Sequence, residues 1–248
     1  QKYDKVISII EKALVKKQPV QVERELLEII VRTHFELKNY VRCQENARLL
    51  LEKFPNNTIA WGFLAKASMA SNDNSSEAIA MYEAIYKDNP AKTEYLPVLA
   101  RHYAATRNYT VEAMDILFTC FQNGMRDPEI ILALAHGYVQ NRSMGSEVIA
   151  ILEESLKIKD LVEFRELLAR NYSKANRFSD AARECIEVLR ENINNMGIHV
   201  VYTSSMKKLK MLDEAIAQYQ DFLLHNPDNE QLIEILAGLK KDATEYGN

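Results

Sequence analysis

Five basic or potentially basic residues recur in this chain at intervals of 34, 35, 35 and 34: Arg32, Lys66, Arg101, His136 and Arg170. Three places before each stands an apolar residue, in order Ile29, Phe63, Val98, Ala133 and Leu167. Such a line suits the grip of an extended chain. Guanidinium groups hold carboxylates or backbone carbonyls through paired hydrogen bonds, and the apolar row beside them takes side chains. The overall charge is −4, so a line of one sign stands out. The same cations have a second use. Glu28 and Glu166 precede Arg32 and Arg170 by four, the spacing of helix-surface ion pairs worth about 0.2–0.5 kcal/mol. Glu94, Glu129 and Glu163 are placed to neutralise Lys66, Arg101 and His136. Both uses stay open here. The expected partner-binding set is Arg32, Lys66, Arg101, His136 and Arg170 with Phe63 and Val98.

Catalytic chemistry finds no comparable support. There is no phosphate loop, no nucleophile elbow and no His-Glu metal helix. The five histidines fall in different segments without an i, i+4 pair, so no metal and no cofactor is expected. Cys43, Cys120 and Cys185 form no close pair and sit where small or apolar residues recur, as buried hydrophobes do. An odd number of free thiols favours a reducing compartment, so a cytoplasmic location is expected. A pI near 5.8 argues against general affinity for nucleic acid. No apolar run reaches the roughly 18 residues that span a bilayer, and no direct membrane insertion is expected. The chain begins at Gln1, as a processed product does, which is compatible with a removed upstream signal or anchor. Sequons at Asn56, Asn74, Asn108, Asn141 and Asn171 read as turn chemistry, Asn171 lying inside a helical pattern.

The elements that carry the basic line repeat with it. Units start near Arg24, Thr58, Thr93, Pro128, Val162 and Met196. Their seventh residues are Ile30, Leu64, Leu99, Leu134, Leu168 and Tyr202; their eighth are Val31, Ala65, Ala100, Ala135, Ala169 and Thr203. Apolar positions 4, 7, 8 and 11 have helical spacing. A polar turn follows, and a second apolar stripe opens on a small residue such as Ala78, Ala113, Ala181 or Ala215. Pro55, Pro90 and Pro227 stop second helices. Residues 2–16 read as a second helix alone and residues 229–243 as a first helix alone. The opening helix, with Ile7, Ile9 and Ile10, is expected to leave apolar surface uncovered and to permit self-association through the terminal helices. A period of this size marks stacked supersecondary units.

Trp61-Leu64-Ala65, Tyr103, Tyr138, Tyr172, Ala78, Ala113, Ala181, Ala215, Pro55, Pro90 and Pro227 together resemble the tetratricopeptide repeat family over nearly the whole chain. The glycine usual at position 8 is replaced in every unit. The resemblance implies an all-α, right-handed solenoid of antiparallel helix pairs over 1–248. Half repeats at 2–18 and 229–248 flank full repeats at 22–57, 58–92, 93–127, 128–161, 162–195 and 196–228. Trp61 takes the family's aromatic slot and is expected in the core. Members generally hold a segment of another protein in a concave groove. The function implied is therefore a non-catalytic interaction scaffold whose partner is a protein or peptide segment, acidic and partly apolar. The alternative is a helical accessory region of a larger enzyme or membrane-anchored assembly protein. The carboxylate clamp of chaperone-binding members is not carried over, because Glu28, Gly62, Pro97 and Leu132 occupy its position 5.

Overall fold

The computed structural model describes residues 2–246; of the range assigned to the array, Gln1, Gly247 and Asn248 lie outside the described residues. The described residues form α-helices joined by turns, with no strand among them. In order these are α1 (Lys2–Leu14), α2 (Val20–Glu36), α3 (Tyr40–Lys53), α4 (Thr58–Ala70), α5 (Ser76–Asp88), a 3₁₀ turn at Thr93–Tyr95, α6 (Leu96–Thr106) and α7 (Val111–Gln122). They continue with α8 (Pro128–Asn141), α9 (Ser146–Ile158), α10 (Val162–Lys174), α11 (Phe178–Glu191), α12 (Met196–Leu209), α13 (Leu212–His225) and α14 (Glu230–Tyr246). Two compact units, 1–102 and 103–248, divide within α6.

In the first unit α1 packs on α2, α2 on α3 and α3 on α4, while α2 also reaches α4. In the second, each helix from α7 to α13 packs on the next, and α10 touches both α8 and α12. Packed neighbours joined by short turns run antiparallel. The described residues are thus all-α, and within each unit first helices also meet, α2 with α4 in one and α10 with α8 and α12 in the other. The repeated residues explain the closeness. Every position-7 side chain is buried, and Val31, Ala65, Ala100, Ala135 and Ala169 behind it are fully buried. Small side chains there let helix axes approach and large ones fill the next layer. At the last pair the layer turns aromatic: Tyr202 lies 6.0 Å from Tyr219, which meets Phe222 edge-on at 5.8 Å.

Each pair reverses direction through one residue in the left-handed helical region: Lys38, Asn72, Arg107, Arg142, Asn176 and Lys210, with φ at 50–61°. Their spacings of 34, 35, 35, 34 and 34 equal the sequence period. The next residue's N–H reaches back to close the turn, as in Asn39 to the His34 carbonyl at 2.9 Å and Arg177 to that of Tyr172 at 2.8 Å. This satisfies carbonyls that the helix end leaves free. None of the six is glycine, so each carries a Cβ in a conformation that costs L-residues about 1–2 kcal/mol. Three turns are longer by one residue. In two of them a carboxylate or amide and a hydroxyl cap the next helix in series. Asp73 accepts from Ser75 N–H and Asn108 from Thr110 N–H; Ser75 and Thr110 then accept from Ala78 and Ala113. The amide oxygen of sequon residue Asn108 is occupied in this way.

Two expectations are corrected. The opening helix does leave apolar surface uncovered, at Val6 (38% exposed) and Ile9 (67%), but not at Ile10, which is only 5% exposed where α1 packs on α2. Trp61 is not a core residue but 43% exposed. Its indole N–H donates to the Pro55 carbonyl at 2.9 Å, which holds the ring at the helix start with one face in solvent. The three cysteines are free and buried, and burial pushes the thiols of Cys43 and Cys185 up to about 11 and about 12.

His199 is buried between Tyr219, 2.7 Å from Nδ1, and the Ile193 carbonyl, 2.7 Å from Nε2. A carbonyl only accepts, so Nε2 carries the proton and Nδ1 accepts from the phenol. Burial lowers the pKa of His199 below 6.5; it also lowers those of His34 and His136, against a smaller raising pull from Glu11 and Glu163. The unfolded chain therefore binds protons that the fold refuses. Stability should be complete above pH 6.5 and fall as pH drops below it. Urea midpoints at pH 7.5 and 5.5 will show the loss, and His199→Leu will reduce it. A second expectation concerns the turns: Lys38→Gly should exceed Lys38→Ala in unfolding free energy by about 1 kcal/mol, since only glycine escapes the Cβ clash.

Candidate partner-binding grooves

The second unit places two sequence-selected residues on the walls of adjoining grooves. The first groove, about 510 Å³, runs past Arg107, Tyr109, His136, Lys159 and Leu161. The second, about 630 Å³, runs past Arg142, Met144, Glu166, Leu167 and Arg170. Val139, Gln140 and Glu163 line both. The helices explain the juxtaposition. His136, Val139 and Gln140 lie on one side of α8, and Glu163, Glu166, Leu167 and Arg170 on one side of α10, which packs directly on α8. Turn residues complete the walls, Arg107 from before α7 and Arg142 from after α8.

His136 is half-buried, its ring edge-on to Phe164 at 4.9 Å. Burial lowers its pKa first; Glu163 opposes that, while Arg107 and Lys159 reinforce it, so all three charges act at this point. Arg170 donates to Glu166 at 2.8 Å, and the other oxygen of Glu166 accepts from Asn195 at 3.0 Å. Asn195 in turn caps α12 by accepting from Ile198 N–H. An equivalent link exists in the first unit, where Asn57, the cap of α4, donates to Glu28 at 2.7 Å. Glu28 is approached by Arg24 at 3.8 Å instead of the expected Arg32. These carboxylates therefore tie one pair to the next as well as neutralising a cation.

Asn171 fixes the groove wall from beneath. It is 2% exposed, accepts from Gly145 N–H at 2.9 Å and donates to the carbonyls of Ser143 (3.2 Å) and Leu167 (2.9 Å). It thereby fastens the turn bearing Arg142 and Met144 onto α10. Gly145 has φ 154°, which a side chain rarely adopts, so the amide locks a turn that glycine alone permits. On the opposite wall Gly137 leaves room for Met114 and the Tyr109 ring, which a Cβ would meet at 2.3 and 3.2 Å.

The remaining selected residues lie in the first unit. Arg32, Lys66 and Arg101 are exposed, and Phe63 and Val98 half-buried. Lys66 stands 5.9 Å over the Phe63 ring, a cation–π contact. This unit holds a groove that sequence reasoning missed, about 560 Å³ between α4 and α5, walled by Trp61, Leu64, Met81 and Ile85 and rimmed by Glu77, Asp88 and Lys92. Gly62 opens onto free space there. The available signal was the pair Trp61-Gly62, a flat ring beside a residue without a side chain.

No family model matches the chain, and no curated protein does. Among solved structures it is similar to a thermophilic TPR protein of Thermus thermophilus, TTC0263, with 17% identity, 74% of this chain and 98% of that chain covered, and a TM-score of 0.29. It is also similar to Naa15/Naa10 bound to HypK-THB (15% identity, 96% and 36% covered, TM-score 0.41). A third similarity is to the APC/C hetero-tetramer Cut9-Hcn1 (14%, 96% and 46%, TM-score 0.33). The chain thus spans about a third to a half of the latter two. Among the described residues no helix is long and apolar enough to cross a membrane.

Asn171→Leu should lower unfolding free energy by about 1–3 kcal/mol, because Gly145 N–H loses its partner inside the protein. Chemical denaturation will measure it, and hydrogen exchange should show residues 142–145 opening first.

Proposed function

We propose that this protein is a non-catalytic scaffold that holds a segment of another protein, and that the adjoining grooves of the second unit are its principal seat. The observation that carries the reading is their composition. Val139, Met144, Leu161 and Leu167 offer apolar contact, while Arg107, Arg142, Lys159 and Arg170 supply positive charge in a protein of net charge −4. Apolar pockets between rigid helices give a bound chain affinity, and fixed cations give it register and polarity. The segment expected is acidic and partly apolar. Arg32, Lys66, Arg101, Phe63 and Val98 present the same chemistry on the first unit. Arg170 has both proposed roles at once: it faces Glu166, yet stays about one-third exposed and able to take a further acceptor.

A photo-crosslinking residue in place of Gln140, which is exposed and shared by both grooves, should form adducts with a protein partner in native extract. Arg170→Glu should abolish those adducts while lowering unfolding free energy by no more than about 1 kcal/mol, the worth of a surface pair. Adducts unchanged by Arg170→Glu would refute the proposed seat. A drop in stability of several kcal/mol would show that Arg170 is structural.

A further inference from the structure

The six positive-φ residues are not a random draw. Two are asparagine, which tolerates the left-handed region; the other four are Lys38, Arg107, Arg142 and Lys210. A basic residue at a helix C-terminus gains from the helix dipole, and that accounts for a cation at any of the four. It does not account for where two of them lead. Arg107 lines the first groove of the second unit and Arg142 the second, one on each side of the shared wall. Neither they nor Lys159 has a carboxylate within 4.0 Å among the described residues. Glu166 is already engaged by Arg170 and Asn195, which leaves Glu163 as the one uncommitted acid named in either lining. The adjoining grooves therefore hold uncompensated positive charge, and two of its sources stand on strained backbone.

We infer that Arg107 and Arg142 are the specificity contacts of the grooves. Each pairs with an acidic side chain of a bound protein segment, and the left-handed turn at each is retained because glycine there would remove the contact. This rests on reading the grooves as the partner seat. It adds which charges choose the partner, and it predicts opposite signs for stability and binding. A guanidinium matches a carboxylate with two parallel hydrogen bonds, so an acidic segment crossing Gln140 would be held on either side of that residue. Strain kept at a binding position is a recognised pattern, and here it has a direct test.

The probes are fluorescein-labelled peptides of mixed Leu, Ala and Asp, with a matched set carrying Ser for Asp, read by anisotropy. Wild type should prefer the Asp set. Arg107→Gly and Arg142→Gly should each raise Kd for the Asp set about tenfold and leave Kd for the Ser set unchanged. Their urea midpoints should stand at or above wild type and above those of Arg107→Ala and Arg142→Ala. Arg107→Lys and Arg142→Lys should restore most of the preference. Lys38→Gly, at an equivalent turn in the other unit, should leave both Kd values alone. Glycine variants that bind the Asp set like wild type overturn the inference and leave the groove reading standing. So does wild-type binding of both sets without preference. Glycine variants with lowered midpoints overturn the claim of strain, and no binding of either set removes inference and groove reading together.

Discussion

Every helix pair in this protein turns on a single residue whose backbone is left-handed, and the rest of the architecture follows from that reversal. The residue closes one helix by returning the next N–H to a free carbonyl and aims the chain so that the second helix lies back along the first. Where the turn is a residue longer, capping side chains absorb the difference: Ser75 and Thr110 move the cap one place nearer the small residue that must be buried, Ala78 and Ala113. The packed layer thus keeps its register although the turns differ in length.

Much of this was legible in the residues. Small residues at position 8 and large apolar ones at position 7 must share a buried helical face, and they do in both units. The turn positions were legible as polar clusters, but their left-handed backbone was not. Lysine and arginine give no hint of it, whereas glycine would have. Trp61 misled for a physical reason: an aromatic slot implies burial only if the neighbouring helix closes over it, and here the ring is tied by its indole N–H to the Pro55 carbonyl and stays partly exposed. The basic line was visible as spacing, whereas the roles of Glu28 and Glu166 as ties between successive pairs depend on Asn57 and Asn195, each 29 residues downstream. Arg107 and Lys159 were missed at the groove because neither lies on the helical stripe; both come from turns.

The charged groups show how one residue can serve fold and surface together. Glu166 accepts from Arg170 and from a helix-capping asparagine, so the cation at the groove wall is steadied by the same carboxylate that joins α10 to the start of α12. Elsewhere in that unit Arg177 lies 4.2 Å over the Tyr172 ring and also meets Asp180 and Glu153, while Arg165 takes Asp160 and the buried Glu184. These cations are committed to carboxylates of the protein itself. Arg107, Arg142 and Lys159, which enter the grooves from turns, are not so committed.

The buried thiols give each unit its own clock. Cys43 lies in the first and Cys185 in the second, both fully buried and both held in the unreactive protonated form. A thiol of that kind meets an alkylating reagent only when its surroundings open, so its labelling rate counts excursions of the local structure from the folded state. The two rates, followed by mass spectrometry in one sample, would tell whether the halves of this chain breathe together or apart.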